Sequence, residues 1–139
     1  MVSKTTRYAI WVLALLAGES RKGFLHARGL ARRLGIPAPY LAKVLFLLSR
    51  HGFVESVRGR TGGYRLLDAA ERISLKSVLE VFEPEALRHL CIIGNPECPG
   101  TRCPEHRSWN DLQRSFGALM ERTMIADIVP RAGSPGKDG

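Results

Sequence analysis

The sequence predicts a mainly α-helical fold with one small β-hairpin, a winged helix-turn-helix followed by a long C-terminal dimerisation helix. Three observations lead there. A chain of 139 residues suffices for one compact core with an appended element, and is too short for a large multi-part enzyme. With 45% apolar and 24% charged residues it has an ordinary globular composition, which excludes disorder along its whole length. Helical spacing of the apolar residues also gives way only once to alternation, at Phe53 to Val57, just before a glycine-rich turn.

The elements follow in order. Lys4 to Ala17 is rich in Ala, Leu and Ile and reads as a mostly buried helix. Residues 19–23 form a turn, and a short helix runs from about His26 to Leu34 and closes at Gly35. Pro37 and Pro39 open a third helix through Tyr40, Leu41, Val44, Leu45 and Leu48, which Gly52 ends. Phe53 to Val57 and Tyr64 to Leu67 are strands about the turn Arg58 to Gly63. Ser74 caps a helix through Phe82, which Pro84 ends. Residues 88–104 have no period and read as a loop that something must organise. A last helix then runs to about Val129, with Trp109, Leu112, Phe116, Leu119, Thr123 and Ala126 as its apolar stripe. At that length it would extend for nearly 40 Å, more than so small a core spans, so it is expected to project and pair with a second copy. Folding back over its own domain is the alternative. Met120 and Met124 are then filler of the dimer core. The organisation is therefore 1–83 for nucleic-acid binding, 84–104 for the cysteine loop, 105–129 for dimerisation and 130–139 for a disordered tail.

Charge is uneven. Residues 1–66 carry 12 Lys and Arg against 2 acids, a net of +10, whereas residues 67–139 carry 9 against 11. One half suits a polyanion and the other some different task. The longest apolar run, Ala9 to Ala17, is short of the roughly 20 residues that a membrane helix needs. No span and no cleavable signal is read, and the three cysteines suit a reducing cytoplasm.

Leu30, Ala31, Leu34, Gly35, Ile36, Leu41 and Val44 have helix-turn-helix spacing, with Ala31 small at the helix crossing and Gly35 at the tight turn. With Leu41, Val44, Leu45 and Leu48 inward, Tyr40, Lys43, Leu47 and Arg50 lie outward. Ala38, Pro39 and Tyr40 then sit nearest base edges in a major groove, and Lys43 and Arg50 reach phosphates. Arg58, Arg60, Thr61 and Arg65 surround the glycine turn of the hairpin, which suits phosphate and minor-groove contact. A helical hairpin followed by a basic wing indicates double-stranded DNA, with a protein-docking module as the rival. His26 and His51 suit phosphate contact or helix-end solvation rather than metal.

Cys91, Cys98, Cys103 and His106 are spaced C-x6-C-x4-C-x2-H. Three thiolates and an imidazole suit an iron-sulfur cluster. Zinc accepts the same set, and metal-free thiol sensing needs only one activated cysteine, so the residues alone leave these open. No nucleophile-base pair, phosphate loop or second acid-base cluster supports an enzyme.

The run from Gly52 to Leu66, Gly-Phe-Val-Glu-Ser-Val-Arg-Gly-Arg-Thr-Gly-Gly-Tyr-Arg-Leu, resembles the wing signature of the Rrf2 transcription regulators. Arg7-Tyr8-Ala9 in the opening helix and Ile36-Pro37-Ala38-Pro39-Tyr40-Leu41 resemble that family's first and recognition helices. The likeness covers about residues 1–129. It implies a homodimeric repressor or activator, a repressor before an activator, on a DNA operator of dyad symmetry. It also implies cluster ligation by Cys91, Cys98 and Cys103, with His106 as the fourth ligand. Some members take that ligand from an acidic residue before the tyrosine of the partner's first helix, and here that position is Arg7, a cation. His89, Glu97 and Glu105 are the substitutes for His106. A [2Fe-2S] cluster is expected, although three cysteines also serve [4Fe-4S], and the signals implied are iron-sulfur status, redox and nitric oxide.

Overall fold

The computed structural model describes residues 2–19, 23–88, 91–95 and 97–129. The predicted tail, 130–139, and His89 lie outside them.

Helix α1 (Lys4–Gly18) starts where Ser3 Oγ accepts the Thr6 N–H at 3.2 Å. Its sequence is apolar nearly all round, which suits a helix surrounded by protein. Ala9, Val12, Leu13, Ala14 and Leu16 are buried. Helices α2 (Ala27–Leu34) and α3 (Ala38–Arg50) follow as the helical hairpin. Gly35 between them has φ 64° and ψ 29°, the left-handed conformation that a residue with a side chain adopts at a cost. Ile36 then plugs the core beside Leu30, Leu34, Leu41, Val44, Leu45 and Leu48.

Strands β1 (Val54–Val57) and β2 (Gly63–Leu66) pair antiparallel, Val54 opposite Leu66 and Val57 opposite Gly63. The sequence did not reveal a third contributor. Leu25 exchanges both backbone hydrogen bonds with Tyr64, at 2.9 and 2.8 Å, and so covers the edge of β2. Gly63 makes this possible, since a Cβ there would stand 2.4 Å from the Leu25 carbonyl oxygen.

Helix α4 (Leu75–Phe82) is capped as expected, Ser74 Oγ accepting the Ser77 N–H at 3.1 Å. After it the chain is less irregular than its composition suggests. One 3-10 turn spans Pro84–Leu87 and another Gly100–Arg102, and the Asn95 side chain and carbonyl accept the Glu97 and Cys98 N–H groups at 3.0 and 3.2 Å.

The C-terminal helix differs from expectation. Helix α5 (His106–Arg122) stops seven residues short of Val129, and a separate short helix, α6 (Ile125–Ile128), follows. At about 1.5 Å per residue, α5 is about 25 Å long. Thr123 closes it, its hydroxyl donating to the Leu119 carbonyl at 2.7 Å. Residues 123–125 then run alongside 73–75, with Leu75 N–H donating to Thr123 O at 2.9 Å and Ile125 N–H to Ile73 O at 2.7 Å. Ile125 is fully buried and α6 packs on α1, so core burial outweighs helical continuation. Thr123 and Ala126 therefore leave the predicted stripe, and Met120 is buried within its own chain rather than offered to a partner. Leu112 and Leu119 stay exposed, at 55% and 42%.

Glu83 ties the end of α4 to the start of α1. Its Oε2 accepts the Ser3 N–H at 2.8 Å and the Thr6 hydroxyl at 2.9 Å, and Thr6 is completely buried. Replacing Thr6 with Val keeps the shape but leaves a partly buried carboxylate short of a donor. The variant is expected to lose about 1–3 kcal/mol in urea unfolding. An unchanged midpoint would mean that this contact holds nothing.

Candidate nucleic-acid interface and metal centre

The interface is built by α3 and the wing. Pro39 in the first turn of α3 has no N–H to leave unsatisfied, and Leu41, Val44, Leu45 and Leu48 turn one side of the helix into the core. Ala38, Pro39, Ala42, Lys43, Phe46 and Arg50 are exposed on the other side. Tyr40 is half-buried rather than fully outward. It is turned against α1, where its hydroxyl hydrogen-bonds Thr5 Oγ1 and its ring meets Tyr8 edge-on, with centroids 5.3 Å apart at 87°. Residue 40 borders both the core and the outer surface, and an aromatic ring with a polar tip gains from packing on Tyr8 while its hydroxyl finds a partner. Leu47 is likewise half-buried.

At the wing, Arg58, Arg60 and Thr61 are exposed at the tip. Arg65 departs from expectation: its Nε donates to Glu55 Oε2 at 2.9 Å and its guanidinium lies 4.7 Å from the centre of the Phe24 ring. It stays with the strands, because register places Glu55 directly opposite. His26 holds the turn from below, its ring Nε2–H donating to the Arg60 carbonyl at 3.1 Å. A cleft of 410 Å³ opens there, lined by His26, Ala27, Arg58, Gly59 and their neighbours. Among the described residues no carboxylate pairs with Lys43, Arg50, Arg58 or Arg60. Four cations left to solvent around one helix and one turn attract a polyanion.

Cys91, Cys98 and Cys103 are half-exposed free thiols. The Ile93 backbone N–H is the largest influence holding the Cys91 thiol below its ordinary value. The Asn95 N–H acts the same way, burial opposes both, and the Cys98 side chain and the Gly94 N–H add smaller effects in the lowering direction. Cys91 also borders a cavity of 370 Å³ lined by Trp109, Leu112, Gln113 and Phe116. Cys103 and His106 border a different one, of 720 Å³, with Arg102, Arg107 and Asn110. His106 opens α5, and its Nε2 accepts from Asn110 Nδ2 at 2.8 Å, so in this arrangement that nitrogen is occupied. Among the described residues no three Cys, His, Asp or Glu side chains stand together as metal ligands. Cys103 and His106 border the same cavity, Cys91 borders another, and the four residues do not converge on one site. Three unpaired thiols and one imidazole are donor types that a cluster takes, and one site forms only if the turns between them shift.

Beside this geometry stands the likeness to known proteins. A family model, Rrf2, described as an iron-dependent transcriptional regulator, matches residues 2–131. The chain belongs to the Rrf2 family. It is 31% identical over 124 residues to the HTH-type transcriptional regulator IscR of Erwinia tasmaniensis, an alignment covering 88% of this chain and 74% of that one. In fold it is similar to CymR, the global cysteine regulator of B. subtilis, with TM-score 0.79 and 20% identity over 94% of this chain and 97% of that one. It is also similar to T. potens IscR, with TM-score 0.75 and 22% identity over 100% and 93%. The mainly α winged-helix fold read from the sequence is the fold of these Rrf2 regulators, and the family consists of DNA-binding transcriptional regulators rather than enzymes. Among the described residues no helix is long and apolar enough to cross a membrane.

Because Arg58 and Arg60 of this Rrf2 chain are exposed, their replacement should leave the fold intact. Arg58→Ala and Arg60→Ala are each expected to weaken binding to every duplex alike and to lower the slope of log affinity against log salt by about 1. An unaltered slope in both would remove the wing from the interface.

Proposed function

We propose that this Rrf2 regulator acts in the cytoplasm as a homodimer, repressing from an operator of dyad symmetry and responding to iron-sulfur status, redox or nitric oxide through a cluster. The observation that carries the reading is the set of three unpaired, half-exposed cysteines with His106 in one segment directly after the DNA-binding fold.

Two copies joined along the exposed Leu112 and Leu119 side of α5 would present two α3 helices to half-sites about one helical turn apart. Ala38 and Pro39 start α3 and face the base edges, Lys43 and Arg50 face phosphates, and Arg58, Arg60 and Thr61 follow the flanking groove. Tyr40 and Arg65 act at one remove: Tyr40 fixes α3 against α1, and Arg65 fixes the strands of the wing.

Cys91, Cys98 and Cys103 would hold the cluster, most simply [2Fe-2S], with [4Fe-4S] the other form that three cysteines serve. His106 would be the fourth ligand. When bound, such a group supplies redox and ligand-exchange chemistry that responds to the cell's iron and oxidants. The chain's own residues connect that segment to the DNA face. Glu83, next to Pro84 at the start of the cysteine segment, holds Ser3 and Thr6. Thr5 and Tyr8 in the same turns of α1 hold Tyr40 on the recognition helix. Reordering of the segment thus bears on the seating of α3, and regulation is a shift between two seatings.

A second reading has its own observation. The backbone N–H groups of Ile93 and Asn95, with a smaller effect of the Cys98 side chain, hold the Cys91 thiol below its ordinary value, which favours a thiol-disulfide switch without metal. Zinc is the third outcome.

The deciding measurement is the visible spectrum, with iron, sulfide and zinc analysis, of protein purified without oxygen. Brown protein with iron and sulfide supports the cluster, and Cys91→Ser, Cys98→Ser or Cys103→Ser should then each abolish the colour. Colourless protein with zinc, or protein that stays colourless after attempted reconstitution, overturns it. His106→Ala is expected to change the spectrum and shorten the life of the colour in air, and no change would remove His106 from the site.

A further inference from the structure

Phe46 makes no contribution to the core. It lies in the middle of α3 with 62% of its surface exposed, although a phenylalanine is the kind of residue that folding ordinarily covers. Beside it a shallow depression of 440 Å³ is lined by Ala42, Lys43, Phe46 and Leu47. Ala38, Ala42 and Phe46 follow at intervals of four and form one row along the exposed side of the helix. Pro39, Lys43, Phe46 and Arg50 form the neighbouring row. Phe46 therefore stands where the two rows meet, between two cations that no described carboxylate neutralises.

We propose that Phe46 is a specificity-determining residue that reads a thymine in the major groove through the base's C5-methyl group. The proposal rests on the reading of α3 as the recognition helix. Charge selects the occupant: an apolar ring set between Lys43 and Arg50 suits a surface that is anionic at its rims and apolar at one point in its floor. In a B-form major groove that point is the thymine methyl, since the other base edges there offer hydrogen-bond donors and acceptors that a phenyl ring cannot use. Reach is adequate. The row from Ala38 to Phe46 runs about 12 Å along the helix, three to four base-pair steps, so Phe46 meets a base several steps from the one facing the start of α3. Lys43 beside it fixes register through phosphate without sequence preference, while the ring discriminates.

The experiment uses the full chain and deoxyuridine, which pairs as thymine does but lacks the methyl. Duplexes are selected from a random library by the wild-type protein. Each thymine of the enriched half-site is then replaced by deoxyuridine in turn, and affinities are measured for wild type, Phe46→Ala and Phe46→Leu. One buried methyl contributes about fourfold in affinity, so wild type should lose about fourfold per half-site at one thymine. Phe46→Ala should bind the thymine duplex more weakly by at least that factor and be indifferent to the replacement. Phe46→Leu, still apolar, should retain most of the sensitivity.

The assignment is overturned if no thymine is sensitive in the wild type, if the enriched site has no constant thymine, or if Phe46→Ala keeps the sensitivity. It is also overturned if Phe46→Ala changes the oligomeric state without changing base preference, which would make this face a contact between copies. Should the wild type enrich no sequence at all, the recognition-helix reading falls and this assignment with it. Enrichment that Phe46→Ala reproduces unchanged removes Phe46 alone.

Discussion

The fold depends on α1 being buried on several sides at once. Its apolar residues Ala9, Val12, Leu13, Ala14 and Leu16 leave no side that water could cover cheaply, so α2, α3, α4, α6 and the wing all lean on it. A helix so enclosed is a poor candidate for independent motion. Its first turn, with Thr6 buried and Lys4 exposed, is where Glu83 and Tyr40 both attach.

The two functional regions contrast physically. The proposed DNA face is made of regular elements with side chains left to solvent: a helix opened by Pro37 and Pro39, a hairpin whose second strand is bordered by Leu25, and a turn held by His26. Its cations work at a distance and need little prior ordering. The cysteine segment is a chain of tight turns with half-exposed thiols, tied to α5 by the Gln113 side chain donating to the Arg88 carbonyl at 2.8 Å. None of the described residues from 91 to 104 is buried, so little packing opposes a rearrangement of those turns by a ligand.

The helix-turn-helix, the wing and the α4 cap were legible because each is encoded over a few neighbouring residues. Gly35 marks a left-handed turn, Pro39 a helix start, Ser74 a cap, and Arg58 to Gly63 a basic glycine turn. The cysteines were legible as candidates through their spacing. Their failure to converge was not, since the turns 91–94, 95–98 and 100–103 each hold one cysteine and close on a hydrogen bond of their own. Phe46 was not legible, because a phenylalanine in a helix is ordinarily core and only its exposure in the folded chain sets it apart.

Local chemistry in the amino-acid sequence thus determined the secondary elements, the basic half and the family, since caps, turn glycines and charges act within a few residues of themselves. The tertiary structure alone decided the end of α5 at Thr123, the turning of Tyr40 onto Tyr8, the pairing of Leu25 with Tyr64 and the clasp of Glu83 on Thr6. Each of these is a competition between a local preference and a partner distant in the chain. Its outcome rests on the apolar area and hydrogen bonds gained when the two meet, quantities that no window of sequence contains.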